Sequence, residues 1–142
     1  EMLLYMAARA QLVEEVIRPA LDAGKTVVCD RFLLANVVYQ GHAGGLDVET
    51  VRAVGQIAIH SVVPAKVFLL DMDIDAAAQR IQRPPDRMEL QGREFRRRVR
   101  DGFLLEASKN PQQIALIDAS REIATIQAEI RSIAAESLSI KA

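Results

Sequence analysis

Three groups of residues in this chain could do chemistry. Asp30-Arg31-Phe32 set an acid, a base and an aromatic ring directly after Thr26-Val-Val-Cys29. Tyr5 and Arg9 stand four apart, so on a helix they share one face. Arg83 and Arg87 flank Pro84-Pro85, where no helix continues. By themselves Tyr5 and Arg9 read most simply as a half-buried ring beside a solvated guanidinium, with a two-point ligand contact as the other reading. Guanidinium groups on a loop suit polyphosphate charge, which they grip and stabilise as it transfers.

Competing chemistries lack their parts. No Cys and His cluster has metal-ligand spacing, and no residue is assigned as a metal ligand. The single cysteine, Cys29, falls inside a predicted buried strand, where burial raises a thiol pKa and blocks access. A serine triad would need a glycine-flanked nucleophile turn, which is absent. Gly41, Gly44 and Gly45 predict a mobile or tightly turned loop over Tyr39–Gly45. That loop lacks the lysine of a phosphate cradle and has no strand leading into it. Phosphate recognition at Asp30-Arg31 is the reading that remains.

These groups must be positioned by regular elements. Met2, Met6, Val13, Val16, Ile17 and Leu21 follow a helical period from Glu1 to about Ala23, closed by Gly24. Pro19 removes one hydrogen bond inside it and predicts a kink near Glu15 or an irregular last turn. Thr26–Asp30 is expected to be a buried strand whose carboxyl end opens into a crevice. Asp47 is a plausible N-cap for a helix from Val48 to about Val63, with Val51, Val54, Ile57, Ala58 and Val62 near one face and His60 on its surface. Lys66–Asp71 and Ile114–Asp118 read as further apolar strands ending in acids. Asp73 caps a helix from Ile74 to about Gln82, and an apolar stripe through Phe95, Val99 and Phe103 marks a helix from about Glu94 to Ser108, whose arginines fit a solvated face. Ser120 is expected to cap a last helix turning Ile123, Ile126, Ile130 and Ile133 inward. The alternation predicts an α/β fold, a parallel sheet flanked by helices on both faces, in one domain over residues 1–142.

A length of 142 residues, half of them apolar, fits one core, and a net charge of −1 argues against general attraction to nucleic acid or membrane. No apolar run approaches the roughly 20 residues needed to span a bilayer, and the amino end has no signal-peptide pattern. A soluble, cytoplasmic protein is expected.

Tyr5-Met-Ala-Ala-Arg9-Ala-Gln11, Cys29-Asp30-Arg31-Phe32, Tyr39-Gln40-Gly41 and Asp86-Arg87-Met88-Glu89 together resemble the thymidylate kinases in order and spacing. The resemblance spans nearly the whole chain. It implies a P-loop NTPase-like three-layer α/β/α fold and transfer of the γ-phosphoryl of ATP to dTMP with Mg2+, in a homodimer whose interface draws on the helices from Glu1 and from Val48. It further implies that the ring of Tyr5 stacks on thymine and that Arg9 hydrogen-bonds the base. Arg31 would grip the acceptor phosphate, and Asp30 would help order the Mg2+ and phosphate region. Phe32 would lie near the sugar, and Asn36 and Tyr39, with Gln40 beside them, would line the base and ribose pocket. The segment near residues 80–92 looks like the family's lid, with Arg83 or Arg87 as the catalytic arginine.

One part of the family pattern is missing. The glycine-rich loop ending in Gly-Lys-Ser/Thr is absent from this sequence, and with it the first strand, which in this fold lies between those of Thr26–Asp30 and Lys66–Asp71. The expectation is that further residues precede Glu1 in the natural protein. The other readings are a non-catalytic nucleotide-binding remnant or interaction protein, and a kinase of the same fold for another acceptor.

Overall fold

The computed structural model describes residues 1–80 and 91–139, and its contacts divide the chain into two compact units, Glu1–Val63 and Pro64–Ala142. In the first unit the amino-terminal helix is built in three pieces. Helix α1 (Met2–Leu12) passes into a π-helical turn, Val13–Ile17, and resumes as α2 (Arg18–Asp22). The predicted irregularity is therefore a widened turn. Pro19 has no N–H for the carbonyl of Glu15, and the Arg18 N–H bonds back to Val13, five residues away. Pro19 then occupies the first turn of α2, where its missing donor is tolerated. Gly24, at φ 71°, ends the helix: its N–H bonds the Leu21 carbonyl at 2.9 Å, and the Lys25 N–H bonds Ala20 at 2.9 Å.

Thr26–Asp30 is not a strand. No ladder partner pairs with it among the described residues, and the strand preference of Thr-Val-Val is realised only when a neighbour supplies the complementary backbone groups. Val28 is 94% exposed and Cys29 is exposed, so the burial expected of that cysteine is absent.

The glycine segment also differs from expectation. Tyr39-Gln40-Gly41 is helical: α3 (Leu33–Asn36) runs into a second π-helical turn, Val37–His42. The glycines serve close approach. A Cβ on Gly44 would lie 2.6 Å from the Tyr39 carbonyl oxygen and 2.8 Å from that of Gln40, and one on Gly41 would meet Val48 at 3.1 Å. Gly45, at φ 82°, completes the tight turn.

Asp47 caps α4 (Val48–Ile59) as its sequence predicts, accepting from the Thr50 N–H at 2.8 Å and hydroxyl at 2.6 Å. The helix stops four residues before Val63, because His60 and Ser61 both adopt left-handed backbone angles. Of the predicted stripe, Val51 and Ala58 are buried and Val54 and Val62 are half-buried, but Ile57 is 74% exposed. Met6, Val13, Ile17, Leu33, Val37, Val51, Ala58 and Ile59 form the core of this unit. Both π-helical turns place residues in it, and Gly55 lets Leu33 lie against the α4 backbone.

In the second unit, β1 (Val67–Asp71) and β2 (Ile114–Asp118) pair in parallel, in register from Val67 opposite Ile114 to Asp71 opposite Asp118. Helix α5 (Ile74–Arg80) starts at Asp73, whose carboxylate accepts from the N–H groups of Asp75 and Ala76. Helix α6 (Gly92–Lys109) packs on both strands and buries Phe95, Gly102 and Ala107. Its arginines are not a uniformly solvated row: Arg100 forms a two-point bond with Asp71 at 2.7 and 2.9 Å, and Arg93 does so with Asp75 at 3.0 and 2.7 Å. Helix α7 (Ile123–Ser139) begins after Ser120, whose N–H and hydroxyl instead bond the Asp118 carboxylate. Ile126, Ile130 and Ile133 are half-buried, whereas Ile123 is 74% exposed.

Candidate functional site

The first unit brings most of the singled-out residues together. Arg9, on α1, donates from Nε at 3.2 Å and from Nη2 at 2.7 Å to Oδ1 of Asn36, on α3. Asn36 Nδ2 in turn donates to Oε1 of Gln40 at 3.1 Å. The guanidinium of Arg9 lies over the Phe32 ring, 4.7 Å from its centroid. Burial pulls Arg9 below its ordinary pKa, an effect partly offset by its electrostatic interaction with nearby Cys29. An arginine has so wide a margin that it stays charged.

Tyr5 stands one helical turn before Arg9 and is 49% exposed. Asn36 and Gln40 are buried behind Arg9. Arg31 and Asp30 are exposed where the extended segment meets α3, and the Arg31 guanidinium lies 5.3 Å from the centroid of the Tyr39 ring. Arg31 has φ 64°, a left-handed angle that costs a non-glycine residue about 1–2 kcal/mol. The Cys29 thiol donates to the Arg31 carbonyl at 3.2 Å, across this bend.

Arg83 and Arg87 lie outside the described residues. Among the described residues no group of three or more His, Cys, Asp or Glu is arranged to hold a metal, and no helix is long and apolar enough to cross a membrane.

The Asn36–Gln40 bond has an i, i+4 spacing that a helix brings together, but the glycines of Tyr39–Gly45 point to a loop and hide that signal. The Arg9–Asn36 contact joins residues 27 positions apart and has no local signal. The left-handed Arg31 has none either. The Arg100–Asp71 pair in the second unit is likewise non-local.

Within the first unit, a cationic donor aligned beside an aromatic ring and a second guanidinium on a left-handed residue are groups suited to a flat ligand carrying anionic oxygen, as nucleotides are. The chain belongs to the thymidylate kinase family, whose model matches residues 1–130. It is 43% identical over 132 residues to a thymidylate kinase of Exiguobacterium sibiricum, covering 92% of this chain and 62% of that protein. It is 42% identical over 139 residues to one of Symbiobacterium thermophilum, covering 97% and 65%. The chain thus spans slightly less than two thirds of these relatives' length. The crystal structure of thymidylate kinase from Ehrlichia chaffeensis matches with a TM-score of 0.72 and 29% identity, over 94% of this chain and 62% of that one. That likeness gives the fold, a P-loop NTPase-like α/β arrangement with a parallel sheet flanked by helices.

Proposed function

We propose that the complete protein transfers the γ-phosphoryl of ATP to dTMP, giving dTDP for dTTP synthesis, and that residues 1–142 belong to one thymidylate-kinase-like domain. The observation that carries this reading is Arg9, aligned by Asn36 beside Phe32 one helical turn from Tyr5, in a chain of this family. Tyr5 offers an aromatic face for thymine, and Arg9, which can only donate, meets a ring carbonyl. Tyr39 lines the ribose side and helps exclude ribonucleotides. Arg31 holds the acceptor phosphate so that one of its oxygens attacks the γ-phosphorus in line. The new P–O bond forms as the bond to the β,γ-bridging oxygen breaks, with Arg83 or Arg87 stabilising the charge in transfer.

Mg2+ keeps few protein ligands and is held largely by phosphates and water, so the exposed carboxylate of Asp30 suits it as a single hard oxygen donor. When bound, the ion neutralises phosphate charge. A cytoplasmic homodimer completes the proposal, with the helices from Glu1 and Val48 as its interface.

The test is a coupled assay of dTDP formation by the natural full-length protein, with dTMP, dUMP and dGMP as acceptors. Arg31→Ala is expected to lower kcat by about 100-fold or more while the circular dichroism spectrum is retained. Wild-type turnover in that variant removes Arg31 from the mechanism, and indifference to the base removes the dTMP assignment.

A further inference from the structure

Helix α6 carries Arg93, Arg96, Arg97, Arg98 and Arg100, and all but one have a carboxylate within reach. Arg93 bonds Asp75 and Arg100 bonds Asp71, each at two points. Arg97 does the same with Glu94 at 3.1 and 2.9 Å, and Arg98 lies 4.0 Å from that carboxylate. Arg96 is the exception. It is half-buried, no carboxylate among the described residues pairs with it, and its Nε is closed off from water without an acceptor. An ionic donor in that position is unfavourable until an acceptor reaches it. Its surroundings indicate which acceptor. Arg93, Arg96 and Arg100 follow one another at three and four positions and so share a face of α6. Arg100 reaches the last residue of β1, and Arg93 reaches the first turn of α5. The Asp75 carboxyl is held below its ordinary value chiefly by the bond from Arg93, with a smaller electrostatic pull from Arg96, which sets Arg96 on the same side. Arg96 therefore stands beside the carboxyl ends of the parallel strands, the edge at which α/β sheets take their ligands. The acids there are already engaged, Asp71 and Asp75 by the flanking arginines and Asp73 by the N–H groups that start α5.

We infer that Arg96 is a donor-binding residue, whose guanidinium takes a phosphoryl oxygen of the ATP polyphosphate at the carboxyl edge of the β1–β2 pair. The inference rests on the function proposed above. A planar guanidinium meets phosphate oxygens at two points, which would satisfy the Nε–H that the folded chain leaves open. The two Arg–Asp pairs on either side hold α6 against β1 and α5, so this cation is placed before the ligand arrives and little ordering remains to be done on binding.

The experiment uses the natural full-length protein with Arg96→Met, which keeps the length of the side chain without its donors, Arg96→Lys, which keeps the charge, and Arg97→Met, which removes the same charge from a residue already paired with Glu94. Calorimetric titration with inorganic tripolyphosphate and steady-state KM values for ATP and dTMP are the readouts, with urea unfolding beside them. Arg96→Met is expected to weaken tripolyphosphate and raise the KM for ATP by about tenfold, with the KM for dTMP unchanged and the unfolding midpoint no lower, since no internal bond is lost. Arg96→Lys restores part of the affinity, and Arg97→Met behaves as wild type. Unchanged tripolyphosphate affinity in Arg96→Met overturns the inference, as does an equal rise in both KM values or an equal loss in Arg97→Met. If Arg96→Met does not fold, Arg96→Gln is judged by the same titration. A wild type that makes no dTDP counts against the proposed function, and the tripolyphosphate titrations still judge Arg96.

Discussion

Arg31 carries two burdens at once, a guanidinium set against Tyr39 and a backbone angle that suits glycine. The two are separable by substitution. Arg31→Ala and Arg31→Gly both remove the charge, but only glycine relieves the left-handed strain, so Arg31→Gly is expected to be more stable than Arg31→Ala by about 1 kcal/mol. Urea denaturation measures that difference, and equal midpoints would show that the strain is absent. Asn36→Leu removes the acceptor of Arg9 and orphans the buried Gln40 oxygen, at an expected cost of about 1–3 kcal/mol in the same assay. At this scale the resemblance singles out Arg9 and Asn36 in the sequence, but the sequence could not show their pairing. Arg9 and Asn36 meet only because α1 and α3 are brought together, and no spacing along the chain encodes a contact across 27 positions.

The elements follow their local signals wherever those signals are self-sufficient. Caps, glycine stops and helical periods act within a turn or two, and Asp47, Gly24 and Pro19 each did what their chemistry requires. Strands need partners, which is why Val67–Asp71 and Ile114–Asp118 form and Thr26–Asp30 does not. Gly55 on α4 shows a packing requirement overriding propensity. Alanine is favoured over glycine in a helix by about 1 kcal/mol, yet a Cβ there would clash with the buried Leu33 Cδ1. Overpacking typically costs about 1–3 kcal/mol, so Gly55→Ala is expected to be net destabilising in urea titration, and a gain in stability would mean that Leu33 yields freely. The α4 cap also sets a pH dependence. The Thr50 hydroxyl, then its N–H, hold the Asp47 carboxyl below its ordinary value. Its stabilising contribution is therefore full above about pH 4, the unfolded value, and is lost as pH falls through the depressed folded value. Asp75, Glu94 and Asp118 are shifted in the same direction, so the readout must be local. The protection of the Thr50 amide against exchange, taken relative to its intrinsic rate at each pH, is expected to fall on acidification in the wild type and to lose that acid step in Asp47→Asn.

At the scale of the molecule, the described residues of the proposed acceptor site all fall within Glu1–Val63, whereas the sequence contains no glycine-rich loop ending in Gly-Lys-Ser/Thr. The 142-residue polypeptide by itself is accordingly expected to bind dTMP in calorimetry and to show no ATP-dependent dTDP formation; turnover would place a donor site within it. The parallel α/β plan was legible because apolar runs ending in acids alternate with helical periods. The widened turns were not, since π-helical hydrogen bonding has no residue signature of its own beyond Pro19 in the first case. The second of these turns, Val37–His42, carries a consequence for the chain's length. A π-helical turn holds one residue more than the α-helical geometry of about 100° per residue calls for, so losing one residue there shifts the register between Asn36 and the residues that follow it within the turn. Deleting Val38 would put Gly41 four positions after Asn36, and the carboxamide would face a residue with no side chain. The Asn36–Gln40 bond is in that sense written in the number of residues between the two, and a single-codon deletion would leave the buried Asn36 amide nitrogen without its acceptor while substituting no residue of the proposed acceptor site.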